Sequence, residues 1–530
     1  MFMTSRNVLL AIAVGLSAAS VSTAQPTVRV ESGLVQGTRD GDLVIYRGIP
    51  YAAPPVDSLR WRSPRPPVRW KGVRNATSFG LPCPQPKFAP IQFVKEWTED
   101  CLTANVWTPA SRRPSLPVLV VIHGGGFIGG GGNDPLLDPA QLARQGLVVV
   151  TFNYRLGVFG FFAHPALSKE SSTGASGNYG LMDQIAMLRW VKANIGAFGG
   201  DPRNVTIEGS SAGGSSVLFL MVSPMAKGLF ARAIAQSSAE VYSPIGHIRE
   251  PHYGRDARET EGLQLGNDLA TLRALTAREL LDRSNTRIDF VPNGPDYWPV
   301  VDGAVIPDEP WALFESGRFA RVPLIVGANA DEGTLFGYPP VLSIHTAAEW
   351  HAHLVRRHPR AESIVEAEYG VQADTEVRAA VVRWVTDWWF QSTARSVARA
   401  VSKNGVPVFL YNFSRVAPVH PMSRERVGAF HSAEVPYAFA RIPSATSSLY
   451  EPADRALSTA MSGAWVQFAR TGNPNATGLP AWPKYERTLD QLLDFGTEIR
   501  TVSGFNARAL DRVDSAFHMM RAPYRQRSPD

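Results

Sequence analysis

Val205-Thr206-Ile207-Glu208-Gly209-Ser210-Ser211-Ala212-Gly213-Gly214 is the stretch whose reading decides the fold. Its β-branched start is the pattern of a buried strand. Gly209-Ser210-Ser211-Ala212-Gly213 then matches G-x-S-x-G, and Ser215-Ser216-Val217-Leu218-Phe219-Leu220 reads as a helix. Strand, tight turn and helix together push a serine hydroxyl out above the edge of a sheet. The flanking glycines let two backbones pass where any Cβ would clash. The N–H of Ala212 falls at the start of the helix, where donors without intrahelical partners can hold an oxyanion. In a chain with 45 glycines the motif alone is weak, because any Gly/Ser-rich turn between a strand and a helix satisfies it.

The surrounding chain supplies the context. Leu116-Pro117-Val118-Leu119-Val120-Val121-Ile122 and Leu147-Val148-Val149-Val150-Thr151-Phe152 are continuous apolar runs, typical of strands covered on both faces. Ala231 to Gln236, Pro323 to Ala328 and Val406 to Tyr411 repeat the pattern. Asp183 to Ile195 has helical spacing, with Ile185, Leu188, Val191 and Ile195 on one face, and Asp454 to Arg470 reads as a late amphipathic helix burying Trp465 and Phe468. Apolar strands alternating with helices predict an α/β architecture with a doubly wound, mostly parallel sheet. Thr27 to Gly37 alternates and turns at Gly33, as a small edge hairpin does. Residues 50–70 read as irregular, and about 240–320 and 340–405 as longer helical insertions that wall the sheet edge.

The chain has 530 residues, 44% hydrophobic, with no repeat, low-complexity block or long charge run, which favours one large domain over several. The formal net charge is +6 with Lys and Arg scattered, a solvated basic surface rather than a nucleic-acid footprint. Arg6, the apolar run Val8 to Leu16 and the small residues Ser22-Thr23-Ala24 have the form of a secretory signal cleaved after Ala24, which leaves 25–530 as the mature domain, secreted or periplasmic. No later apolar run reaches the length of a bilayer span. Cys83 and Cys101 are the only cysteines, and in an exported chain so close a pair is expected to be a disulfide, worth about 3 kcal/mol in the chain-entropy model. Two thiols without a histidine cluster do not make a zinc site, so neither metal nor cofactor is expected.

A serine hydroxyl needs a base, and the base needs an orienting group. Acids at the end of a later strand are Asp331 and Glu332, after Pro323 to Ala330, and the residues alone leave the choice between them open. Of the 11 histidines, His345, His351, His353 and His358 fall in a polar helical segment and read as a solvated face. His431, in the loop Val427 to Glu434 after a core strand, suits the base, although a structural histidine fits there equally. His123-Gly124-Gly125-Gly126-Phe127 follows a core strand, where a glycine turn can aim N–H groups at an oxyanion. A phosphate loop is excluded, because no Gly-Lys-Ser/Thr follows.

With these residues in place, the chain resembles the type-B carboxylesterases, the carboxylesterase/cholinesterase family of the α/β-hydrolase fold. The resemblance covers nearly the whole mature chain. It rests on Tyr46-Arg47-Gly48-Ile49-Pro50-Tyr51-Ala52, Glu99-Asp100-Cys101-Leu102, His123 to Phe127, Asn153-Tyr154-Arg155-Leu156-Gly157 and Gly177 to Gln184. Phe198 to Pro202, Ala328 to Gly333, Phe430 to Tyr437 and Thr471-Gly472-Asn473-Pro474 complete it. The resemblance implies ester hydrolysis through an acyl-enzyme, with Ser211 as nucleophile, Glu332 rather than Asp331 as acid and His431 as base. It implies Gly125, Gly126 and Ala212 as oxyanion donors, and a Cys83–Cys101 disulfide closing a surface loop near the gorge. The expected partner is a small ester, with neither nucleic acid nor a membrane span; amide or carbamate hydrolysis on the same triad is the alternative. Retention of all three triad residues argues against a non-catalytic binding protein.

Two departures stand out. Ser210 occupies the position where the family has a glutamate before the nucleophile, so the supporting network expected from Ser210, Ser237 and Glu434 lacks one charge. The only tryptophan between the cysteines, Trp97, lies too close to Cys101 to match the choline-binding tryptophan of the cholinesterases, so a cation–π choline site is not expected.

Overall fold

The structure, a computed structural model, describes residues 25–87, 93–111, 114–239, 241–253, 255–284, 297–338, 341–416, 418, 427–442 and 449–525. Residues 1–24, where a signal segment is expected, lie outside them, as do Phe88 and Pro90 of the disulfide loop and His420. The strands in chain order are β1 (Thr27–Val30), β2 (Gly33–Gln36), β3 (Thr38–Asp40), β4 (Leu43–Pro50), β5 (Val73–Asn75), β6 (Thr103–Pro109), β7 (Leu116–Ile122), β8 (Val148–Phe152), β9 (Gly200–Ser210), β10 (Arg232–Gln236), β11 (Leu324–Asn329), β12 (Val408–Phe413), β13 (Gln491–Phe495) and β14 (Ile499–Ser503). The large sheet has the order β14-β13-β12-β11-β10-β9-β7-β8-β6-β4-β3. Its centre, from β13 to β8, is parallel, and both flanks are antiparallel. The hairpin expected at Gly33 is β1–β2, and with β5 it forms a separate three-stranded sheet.

The strand period of two divides the core between the sheet's faces. Val118, Val120 and Ile122 of β7 join one cluster, and Leu119 and Val121 join the other. In β12, Val408 and Leu410 go to the first face and Phe409, Tyr411 and Phe413 to the second. The helices Tyr179–Asn194 and Ala212–Val222 cover the first face, and Pro452–Thr471 covers the second with Trp465 and Phe468 buried. Tyr179–Asn194 is buried nearly all round instead of on one stripe, because Gly157–Phe161, Ala212–Val222 and Pro224–Ala226 pack against it besides the sheet.

The insertions are helical as expected, but the reading of their histidines needs correcting. In Ala347–Arg357, His351 is exposed, whereas His353 and the capping His358 are buried. His353 stacks on Trp350, and His358 lies against Trp384 and Trp388. An imidazole packed on indoles loses hydration, and burial holds both histidines well below the ordinary imidazole pKa. They are core residues, not a solvated face.

Because β7, β9, β11 and β12 run parallel, the chain leaves all four at one edge of the sheet. His123 follows β7, Ser211 follows β9, Glu332 follows β11 and His431 lies in a loop beyond β12. In open parallel sheets this is the edge where ligands bind.

Candidate active site

Ser211 has φ +60° and ψ −128°, which a residue with a side chain rarely adopts. The turn survives because its surroundings over-determine it. Ser211 N–H donates to the Gln236 carbonyl at 2.9 Å, and the Ser211 carbonyl accepts from Ser215 N at 2.9 Å to start the helix. A Cβ on Gly213 would stand 2.0 Å from the Ile122 carbonyl oxygen, and one on Gly209 2.4 Å from Gly213. Both glycines are therefore required for close approach.

The glycine turn after β7 is held from behind. His123 is buried and stacks on Tyr154 with ring centroids 4.3 Å apart, and the Tyr154 hydroxyl donates to the His123 carbonyl at 2.9 Å. Burial lowers the His123 pKa to about 4, so this ring is neutral at neutral pH and a weak proton acceptor. Gly125 (φ +107°) and Gly126 (φ +62°) turn the chain back, and the Gly125 carbonyl accepts from Ile128 N and Gly129 N.

The two acids after β11 divide their work. Glu332 is fully buried; its Oε1 accepts from Asn329 N at 2.7 Å and its Oε2 lies 2.5 Å from His431 Nδ1. Asp331 instead accepts from Ala429 N at 2.9 Å, and its own N–H donates to the Ala429 carbonyl. One carboxylate holds the His431 ring and the other holds the loop that carries it. With Nδ1–H committed to Glu332, Nε2 is the acceptor of the ring. Phe336 and Phe390 flank the imidazole at centroid distances of 5.3 and 4.6 Å.

On the sheet's second face Glu434 gathers the polar network. Its Oε1 accepts from Ser210 Oγ at 3.3 Å and Gln236 Nε2 at 3.1 Å, and its Oε2 from Asn329 Nδ2 at 2.6 Å. Burial and the neighbouring Glu332 charge raise its pKa. Ser237 is buried nearby at φ +45°, but its hydroxyl has no hydrogen-bond partner among the described residues, so Gln236 and Asn329 hold Glu434 in its stead. Sequence reasoning missed both amides, and it missed Glu208. That carboxyl lies two residues before Ser210 on the same face of β9, fully buried, with neither oxygen hydrogen-bonded among the described residues. Burial, then repulsion from Glu434, pushes its pKa up to about 8. The signal was visible as an acid directly after the β-branched run Val205 to Ile207.

Gly124, Gly125, Gly126, Ser210, Ser211, Ala212 and His431 line one cavity of about 450 Å³. Trp298, Phe336, Trp389, Phe390, Phe430, Tyr437 and Tyr450 give it an aromatic wall. Trp389 and Phe390 come from a π-helical turn, Val385–Gln391, within the second insertion. Among the described lining residues the one acid is Asp134, whose pKa burial raises to about 6. Cys83 and Cys101 are bonded, their Cα atoms 5.0 Å apart, and Phe93 of the loop they close reaches the cavity while Trp97 does not line it. Both sulfurs belong to buried residues, so the bond lies beneath the surface. The residues with metal-ligand convergence, His247, His252 and Glu309, lie outside this lining.

A model of the carboxylesterase family matches residues 24–512. Fumonisin B1 esterase of Sphingopyxis macrogoltabida is 37% identical over 487 residues, 89% of this chain and 87% of that protein. Para-nitrobenzyl esterase of Bacillus subtilis (strain 168) is 35% identical over 486 residues, 89% of this chain and 95% of that protein. A solved PNB esterase superposes with a TM-score of 0.80 at 32% identity, covering 92% of this chain and all of that one.

Proposed function

The chain belongs to the carboxylesterase family, with the α/β-hydrolase fold, and hydrolyses carboxylic esters as a serine hydrolase; from that premise we propose that Ser211 is the nucleophile, His431 its base and Glu332 the acid. The observation that carries this reading is the pairing of the strained Ser211 turn with the Glu332–His431 contact of 2.5 Å at one cavity. His431 Nε2 takes the Ser211 proton as Oγ attacks the ester carbonyl. The oxyanion that forms is met by the N–H groups of Gly125, Gly126 and Ala212, each worth roughly 2.7–4 kcal/mol at a preorganised site. His431 then protonates the departing alkoxide, and water releases the acyl group by the same route in reverse.

The aromatic wall and the near absence of fixed charge favour neutral esters with apolar groups on either side of the carbonyl. Export is part of the proposal: residues 1–24 are a cleaved signal, and 25–530 act as one domain outside the cytoplasm. The Cys83–Cys101 bond supports this, and no helix among the described residues is long and apolar enough to cross a membrane. Ser211→Ala should remove turnover of a short p-nitrophenyl ester while circular dichroism stays unchanged. A folded variant with substantial turnover would refute the nucleophile.

A further inference from the structure

Away from the catalytic cavity, three side chains converge as ligands do. His247-Ile248-Arg249-Glu250-Pro251-His252 supplies two of them, and Glu309, which precedes the helix Pro310–Glu315, supplies the third. Neither histidine lies in a regular element, yet the backbone around each is pinned. Val301 N donates to the Gly246 carbonyl at 2.9 Å, Ile248 N to the Val301 carbonyl at 3.0 Å and Arg258 N to the His247 carbonyl at 3.0 Å. His252 and Arg255 exchange backbone hydrogen bonds at 2.9 and 3.0 Å. The Glu309 carbonyl accepts from Ala312 N and Leu313 N at the start of its helix. The side chains are thus delivered by fixed backbone, as a preorganised site requires.

His247 Nε2 and His252 Nε2 lie 3.0 and 2.6 Å from the same oxygen, Glu309 Oε1. Their rings are 3.8 Å apart between centroids, and the ligand-capable atoms of all three residues lie within 4.8 Å of one another. The side chains of His252 and Glu309 are 4% exposed and that of His247 is 20% exposed, which leaves a way in from solvent. Glu309 Oε2 is buried and has no hydrogen-bond partner among the described residues. A buried carboxylate oxygen without a donor is costly, and a bound cation answers it. Glu250 and Arg521 also act on the group electrostatically; Arg521 is engaged with the Tyr242 carbonyl and lies 3.7 Å from Glu315.

We propose that His247, His252 and Glu309 form a binding site for a divalent first-row transition cation, zinc by the chemistry of its donors, with solvent completing the coordination. Two imidazoles and a carboxylate are a zinc ligand set, and a hard-cation site would instead be built from oxygen. Ligand atoms about 2.0–2.1 Å from a tetrahedral ion stand farther apart than these contacts, so uptake widens both imidazole–carboxylate contacts, the 2.6 Å one at His252 the more. The ion ties the segment carrying the histidines to the helix Pro310–Glu315, two parts of the same insertion. Its role is to staple the wall, not to enter the ester chemistry.

The test uses the purified full chain, stripped with chelator and titrated with Zn²⁺, reading bound metal per chain and thermal melting. The expected result is one ion per chain and a higher Tm with zinc. Changes in the outer shell of a metal site already cost about 10–100-fold in affinity, so losing a direct ligand costs at least that. His252→Ala, and the less buried His247→Ala should the first fail to fold, therefore lower zinc affinity at least tenfold and abolish the Tm response. No uptake by the wild type at micromolar free zinc would overturn the site. So would uptake and a Tm response that persist unchanged in folded His247→Ala, since the zinc would then sit on other histidines.

Discussion

Glu332 and Glu208 are both fully buried carboxyls close to the proposed nucleophile, Ser211, and they live in opposite surroundings. The loop after β11 gives Glu332 a backbone donor and an imidazole; the interior of β9 gives Glu208 no donor among the described residues and a second carboxylate, Glu434, as neighbour. Burial disfavours the charged form in both places, and only donors offset it. Glu332 is therefore held by partners that let it orient a base, while Glu208, its pKa raised to about 8, holds a proton at neutral pH. The difference teaches that proximity to the nucleophile does not assign a role; the donors around a carboxyl do.

Glu332→Gln should break the first half of the comparison hardest. Removing the charge that orients the base costs on the order of 10³–10⁴-fold in kcat/KM in such triads. Asp331→Asn should lose far less, because Asp331 holds the backbone of Ala429 and not the ring. If Asp331→Asn proved the more damaging, measured on the same neutral ester, the division between the two acids would be wrong.

Ser210→Glu puts a further carboxylate against Glu434 in the cavity lining. The wild type should turn over butyrylcholine less well than a neutral butyrate ester, because the lining carries almost no fixed negative charge. The variant should shift that kcat/KM ratio several-fold toward the cationic ester. An unchanged ratio in a folded, active variant would remove Ser210 from the account, and a wild-type preference for the choline ester would overturn it.

Glu208→Gln should have the smallest effect on turnover, within about threefold at neutral pH, because amide and protonated carboxyl are alike in shape and charge. Its effect lies in stability. The folded protein raises this carboxyl from 4.5 to about 8, so its favourable contribution is complete below pH 4.5 and is lost as pH rises through 8. Melting scans of variant and wild type should nearly coincide near pH 4.5, diverge progressively between pH 4.5 and about 8, and stay apart above that, with the variant more stable. Coincident scans across that range would show Glu208 to be ionised or solvated in the folded protein.

The centre of this molecule was far more legible than its walls. β7 to β12 are written as apolar, largely β-branched runs, and the turn at Ser211 declares itself by glycines that nothing larger can replace. β6 went unread because Asn105 and Thr108 interrupt it, although both are buried and hydrogen-bonded. The proposed triad residues could be named, but the residues gave no way to choose Glu332 over Asp331; only resemblance did, and the two carboxylates differ in what they meet, the His431 ring and the Ala429 backbone. Trp389 and Phe390 reach the cavity through a π-helical turn, whose register a 3.6-residue period misplaces. His353 and His358 looked solvated because most of their neighbours in sequence are polar, while Trp384, which packs on both rings, lies on another helix. His247, His252 and Glu309 are brought together across 62 and 57 residues, beyond any local pattern.

The most direct measurement of the central claim is covalent. The protein is inactivated with a fluorophosphonate and the modified residue is located by fragmenting its peptides in a mass spectrometer. One adduct per chain is predicted, on Ser211 and not on the adjacent Ser210, with activity lost in proportion to labelling. Complete inactivation with Ser211 unmodified would contradict the assignment of this residue as the nucleophile.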